Sequence, residues 1–279
     1  MLRALTALAA SAPLWIGTAA HAAEPLVPHR AVYDVKLNEA SDRSGITEIG
    51  GRMVYEVTGS ACEGWSTRFR FFQNVRSRTR RYSADQRLSS FEGGDGRSFR
   101  FANRSFFNGS EESEVRGTAE RGEDGRVTVE LADEEPEELA AAVFPTEHVR
   151  IILDAARAGR RFVAQDVFDG SDDGKAVIAS TAVIGRPADT GPRDGEKPGA
   201  LEPLEGVAAW PVTVSYFSGE ADRTGERLPN YQVSFLAHEN GVSRDLTMRY
   251  EDFSLDAALQ ELEILPLEPC SEERAKAQD

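Results

Sequence analysis

Apolar side chains recur at every second position over most of this chain, and that period limits what it can fold into. In "HRAVYDVKL", Ala31, Tyr33, Val35 and Leu37 share one side, while Arg30, Asp34 and Lys36 share the other with Val32. Because successive side chains of an extended chain point to opposite faces, this is the signature of a half-buried strand. "GRMVYEVTG" repeats it with Met53, Tyr55 and Val57, and "GWSTRFRFF" places Trp65, Thr67, Phe69 and Phe71 on one face. Further strands are predicted at "RSFRFA", "SEVRGTA" and "GRVTVEL", divided by turns such as "EGGDG" and "RGEDG". Later candidates are "RFVAQDVF", "KAVIASTAVI", "AWPVTVSYF", "YQVSFLAH", "SRDLTMRYEDFSL" and "LQELEIL". Asn240-Gly241 predicts a hairpin with a type I′ turn. About a dozen closely spaced strands call for an all-β barrel or sandwich.

One segment breaks the period. In "FPTEHVRIILDAARAGRR", Val149, Ile152, Leu153 and Ala156 recur at helical spacing, Thr146 is placed to cap, and Gly159 supplies the stop. A single amphipathic helix among strands needs a sheet on which to lay its apolar stripe, either the mouth or the inner wall of a curved one. The strands on both sides have the same character, so residues 23–279 read as one domain. The Pro-, Gly- and charge-rich residues 185–206 read as a mobile insertion within it, with an interdomain linker as the rival reading. Residues 271–279 read as a disordered tail.

The first residues bear on compartment. Arg3, an apolar run from Ala4 to Ala19 and the small-residue pattern Ala20-His21-Ala22 have the anatomy of a secretory signal peptide over residues 1–22. The run is short for a membrane span and is interrupted by Pro13, and no later stretch approaches about 20 apolar residues. The expectation is therefore export by a cleaved Sec-type signal to the periplasm, with no transmembrane segment after cleavage. In an oxidising space the only two cysteines, Cys62 and Cys270, make an intramolecular disulfide the default over free thiols or intermolecular pairing.

Charge excludes one class of partner. With 32 basic and 47 acidic residues, a net charge of −15 argues against nucleic acid, whose binding needs clustered cations, and disfavours anionic lipid headgroups. The local exception is "VRSRTRRYS". Alternation there puts Arg76, Arg78 and Arg80 on one strand face, read as a solvated face with anion binding as the alternative.

Catalytic chemistry leaves little trace. Beyond the leader, His29, His148 and His238 are isolated in sequence, and no H-E-x-x-H, G-x-S-x-G or C-x-x-C motif occurs. His148, in the first helical turn, reads as a surface residue. "DGSDDG" starts like a calcium loop, but its twelfth position is Ser180, so a hairpin loop is the better reading. "DEEPEE", residues 133–138, reads as a solvated loop before the helix. No catalytic, cofactor-binding or metal-ligating residue is assigned.

The leader followed by "PHRAVYDVKL", then "GRMVYEVTGSACEGW", "FPTEHVRIILDAARAG", "VFDGSDDG", "AWPVTVSYF" and "LEILPLEPC", resembles the EipB-type periplasmic proteins of alphaproteobacteria across essentially all the chain. The resemblance implies an antiparallel open barrel or β-spiral wound around one helix, similar in shape to periplasmic lipoprotein carriers. It implies a Cys62–Cys270 disulfide and a non-enzymatic role in cell-envelope integrity, with no cofactor. Such a factor would bind a lipid or lipoprotein, or another periplasmic protein. Trp65, Phe69, Phe71 and Ile152 are the candidate lining of an apolar cavity. The alternative is an envelope-acting hydrolase whose active site has no recognisable motif.

Overall fold

The computed structural model describes residues 26–132, 134–217, 228–267 and 269–270, so the expected signal peptide and the expected disordered tail lie outside the described residues. Eight strands come first: β1 His29–Ala40, β2 Ile46–Ser60, β3 Gly64–Ser77, β4 Arg81–Glu92, β5 Ser98–Phe107, β6 Ser110–Arg121, β7 Arg126–Leu131 and β8 Glu137–Ala141. Helix α1, Pro145–Arg157, separates them from β9 Phe162–Val167, β10 Ile178–Ile184, β11 Ala209–Phe217, β12 Tyr231–His238, β13 Ser243–Arg249 and β14 Phe253–Ile264.

All these strands belong to one antiparallel sheet in the order 8-7-6-5-4-3-2-1-14-13-12-11-10-9. The chain therefore meanders outward from β1 to one edge, crosses through α1, and meanders back from the other edge until β14 pairs with β1. Just past β8, the backbone N–H of Val143 donates to Asp166 O at 3.0 Å and that of Phe168 to Val143 O at 2.9 Å. This parallel bridge between Val143 and Val167 joins the two edges into a nearly closed barrel. It ties one end of β9 to the chain just past β8, covering part of the edges on which another chain could template itself.

Register explains which side chains go inside. Reading across the ladders, Tyr33, Met53 and Phe71 face one way, as do Leu255, Met248, Val233, Val214 and Ala182. That face carries three apolar clusters. The first lies on β1–β3, β13 and β14, the second between α1 and β9–β12, and the third, rich in phenylalanine, beneath β5–β8.

Two segments fill the inner face. Helix α1 begins without a side-chain cap of its own, since Phe144 rather than Thr146 is the N-cap and Pro145 occupies the first turn. Glu92, at the end of β4, reaches over instead: its carboxylate accepts from the backbone N–H of Thr146 at 2.7 Å and of Glu147 at 3.1 Å. Anionic oxygens suit the unpaired donors and positive dipole end found there. At the other end Gly159, at φ 70°, permits the return bond from Arg160 N to Ala155 O at 2.8 Å. The buried stripe is His148, Ile152, Leu153, Ala155 and Ala156, so it is rotated from the expected one: Val149 is 38 % exposed and His148 only 5 %.

The second segment is residues 185–206, expected as a mobile insertion, and it lies packed across the barrel. Its 3-10 turns Pro198–Ala200 and Glu202–Leu204 bury Ala200 and Leu204 in the first cluster. Lys197 N donates to Leu259 O at 3.0 Å, and Gln260 Nε2 to Gly195 O at 2.7 Å. Apolar side chains among prolines and charges anchor it together with these hydrogen bonds.

Several local expectations are corrected. β4 went unread because its inner face, Tyr82, Ala84, Gln86, Leu88, Ser90 and Glu92, is half polar. Glu137 and Glu138 begin β8 rather than ending a loop, and "SRDLTMRYEDFSL" divides between β13 and β14. Arg78 and Arg80 sit in the β3–β4 turn, not on a strand face with Arg76. The β12–β13 hairpin closes with Gly241 N on His238 O at 2.9 Å and His238 N on Val242 O at 2.8 Å. Only Gly241 there has positive φ, 91°, so the loop is the three-residue kind ending in a left-handed glycine instead of a type I′ turn.

Candidate functional site

Cys62 lies in the β2–β3 turn and Cys270 six residues past β14; a disulfide joins them, with Cα atoms 5.7 Å apart. The four residues expected to line one cavity do not come together. Phe71 and Phe69 belong to the first cluster, Ile152 to the second beside α1, and Trp65 is buried opposite Glu92 at the β3–β4 ladder. Two open clefts lie at the surface. One of ≈ 550 Å³ lies between Arg97, Arg121 and Gln165, and one of ≈ 700 Å³ between Arg52, Phe72 and Arg81.

Each described histidine is engaged in holding the fold. His29 Nδ1 lies 2.8 Å from Val27 O, and burial lowers its pKa despite that bond. His148 Nε2 is 3.1 Å from Ser180 Oγ, which itself donates to Gln165 O at 2.7 Å; burial takes the ring's pKa down to about 4. The surface role expected for His148 is thus overturned: the helix turns it toward β9–β10, where a neutral ring is the cheaper form to bury. His238 Nε2 accepts from Arg244 Nε at 3.1 Å, and burial together with the neighbouring guanidinium lowers it to about 4. Arg244 is fully buried, with its Nη1 2.5 Å from Glu196 Oε2 and its Nη2 2.7 Å from Thr190 O. This pair latches residues 185–206 onto the β12–β13 hairpin.

The "DGSDDG" segment is the hairpin loop between β9 and β10. Asp169 and Asp173 spend carboxylate oxygens on the backbone N–H groups of Ser171 and Lys175, at 2.8 and 2.9 Å. Gly170 presses on Phe101 so closely that a Cβ would sit 2.4 Å from the ring, and Asn103 Nδ2 donates to its carbonyl at 2.5 Å. The loop is thereby committed to packing.

What the inner face offers a partner is aromatic. From His148 on α1, rings follow one another to Tyr216 at 6.5 Å, Tyr231 at 5.8 Å, Tyr250 at 5.0 Å and Phe253 at 4.8 Å. This ridge crosses β11 and β12 to the β13–β14 turn, where Tyr250 is 36 % exposed. Burial raises the phenol of Tyr216 to about 12 and those of Tyr231 and Tyr250 above their usual value, so all three are neutral hydroxyls. Rings with a polar tip, partly open, suit an amphipathic partner. Sequence reasoning missed the ridge because its members stand on different strands and come together only through register.

The EipB-like family model matches residues 20–266. A Brucella abortus (strain 2308) protein described as "Cell envelope integrity protein EipB" is 39 % identical over 268 residues, 94 % of each chain. The crystal structure of a beta-barrel-like protein of domain of unknown function DUF1849, also from Brucella abortus, superposes with a TM-score of 0.81 at 39 % identity. It covers 86 % of this chain and 99 % of its own.

Proposed function

From the premise that this chain belongs to the EipB-like family, we propose that it is a non-enzymatic periplasmic factor that supports cell-envelope integrity by binding. The partner is an amphipathic one, a lipid or lipoprotein or a segment of another periplasmic protein, held along the aromatic ridge that ends at Tyr250. The ridge is the single observation that carries this reading, because among the described residues it is a run of five neighbouring rings along the inner face that ends at the exposed Tyr250. The engagement of His29, His148 and His238 in internal bonds supports a role without proton-transfer chemistry. Export is supported by the leader pattern of residues 1–22 and by the disulfide.

The test is complementation. A strain lacking this gene should be sensitised to detergent and to cell-wall antibiotics, and the intact gene should restore growth. Variants His29→Gln and His238→Gln, which lie off the ridge and are each checked for folding by melting temperature, should restore growth too, whereas a folded Tyr250→Ala variant should not. An insensitive deletion strain would refute the envelope role. A folded histidine variant that fails to complement would refute the non-enzymatic reading, and a fully active Tyr250→Ala would remove the ridge from it.

A further inference from the structure

The outer face of the sheet is not charged at random. Between residues 46 and 107, which span β2 to β5, there are eleven arginines, no lysine and six carboxylates; this surplus of five on a chain of net −15 leaves −20 for the remainder. All eleven arginines are exposed, whereas Asp85 and Glu92 are buried and only Glu48 and Asp95 among the six acids are exposed. The net charge of the chain therefore averages over segments of opposite sign, and Asp34, Asp42, Glu111 and Glu114 of the flanking segments pair with Arg52, Arg78 and Arg104 at the margins of the basic one.

Register aligns the cations. Arg70 on β3 is directly opposite Arg87 on β4, which is directly opposite Arg104 on β5, and Arg76 is opposite Arg81. Like charges facing each other across strands about 5 Å apart destabilise a sheet, and any polar residue would serve at a merely solvated position. Instead the row is braced. Asp85 accepts from Arg70 through both oxygens at 2.9 Å and from Arg87 at 2.7 Å; burial would raise its pKa, but these bonds outweigh it and hold the carboxyl ionised. The guanidiniums of Arg87 and Arg104 lie 4.4 and 5.2 Å from the Phe106 ring, and that of Arg100 lies 4.9 Å from Phe91. Arg80, Arg81 and Arg100 make no ion pair among the described residues.

We propose that this wall is a docking surface for an anionic lipid bilayer, which β2–β5 face while the acidic remainder of the barrel is turned away. Three features choose this occupant. The patch runs about 26 Å along β3 and about 14 Å across four strands, too broad and open for one small anion and matched to a field of phosphates. Its cations are all arginine, whose planar fork pairs with phosphate oxygens through two bonds. Two of its three outward aromatic rings, Phe91 and Phe106, lie under guanidiniums, and the third, Phe72, is half-buried beside Arg52, so the wall has no broad exposed apolar centre of the kind a stable protein interface uses. The proposal concerns the opposite face from the aromatic ridge and stands or falls without it.

The experiment is flotation of the purified protein with vesicles of phosphatidylcholine alone or with about one third phosphatidylglycerol, at low and at 0.5 M salt, the span over which screening lengths shorten markedly. Binding is expected at low salt, at least about tenfold stronger to the anionic vesicles and lost at high salt, since exposed phosphate contacts are screened. Arg80→Gln/Arg81→Gln/Arg100→Gln, which strands no buried carboxylate, should lower it at least about fivefold with an unchanged melting temperature. Arg160→Gln/Arg161→Gln/Arg249→Gln, away from the wall, should leave it unchanged. Equal flotation with neutral vesicles, an unaffected wall variant, or salt-sensitive capture of an acidic protein without vesicle binding would overturn the proposal.

Discussion

Replacing Glu196 by alanine should loosen residues 185–206 from the barrel and cost about 4 kcal/mol, within the range for removing one partner of a buried ion pair. The magnitude comes from what Arg244 would keep. Its side chain and that of Glu196 are 0 % exposed, and the variant would leave the guanidinium with Thr190 O at 2.7 Å, Gly191 O at 3.2 Å and the ring of His238 at 3.1 Å, but with no counter-charge. The bond from Arg193 N to Glu196 Oε2 at 2.8 Å would go as well. A loss of this size is a large share of an ordinary domain's stability, and for a chain of this length it should lower Tm by roughly 10 °C. Urea unfolding at neutral pH gives the energy, and the rate of tryptic cleavage after Arg193 shows whether the loss is local. A second variant, Glu196→Leu/Arg244→Met, separates pairing from packing, because replacing both members of a buried pair by apolar groups is often close to neutral. If Glu196→Ala cost less than about 1 kcal/mol with tryptic cleavage unchanged, the pair would not be a latch.

Cys62→Ser should lower Tm while preserving a β-type circular dichroism spectrum. A bridge across 208 residues removes roughly 5 kcal/mol of unfolded-chain entropy at most, and an unchanged melting curve would show it dispensable. Acid should destabilise the protein well before its carboxylates titrate. The pKa values of His148 and His238 are about 4 in the folded chain and 6.5 in the unfolded one, so between those values the unfolded state binds more protons and stability falls as pH falls. The loss from pH 7 to pH 5 is roughly 2 kcal/mol per histidine, offset in part by Glu92, whose pKa burial raises. Urea midpoints that rise over that interval would contradict the burial of both rings.

The alternation in β1–β3 and β5–β7 was legible because those strands have one covered face and one wet face, so local pattern and global position agree. β4 was not legible, since Gln86, Ser90 and Glu92 stand on its inner face, and Glu92 is there to cap a helix that lies 54 residues onward. The same holds for His148: helical spacing gave the stripe to within one position, but Val149 and His148 exchange places because the helix rolls toward Ser180, a residue on another strand. Residues 185–206 have the composition of a loop, and what anchors them includes apolar side chains and one carboxylate that composition cannot single out.

Both proposed surfaces lie where local pattern is weakest. Tyr216, Tyr231 and Tyr250 are ordinary strand and turn residues until antiparallel pairing stacks them, and Arg70, Arg87 and Arg104 are ordinary outward positions until pairing sets them in line. Both sets depend on strand register, and a shift of one residue between β3 and β4 would turn every side chain of one strand to the opposite face. The hairpin turns and the Asp85 clamp hold that register from opposite directions, the turns by chain geometry and the clamp by two bonds that cross from Arg70 on β3 to the buried carboxylate on β4. An acidic residue buried on the outer wall is therefore a register pin as well as a brace for the cations around it.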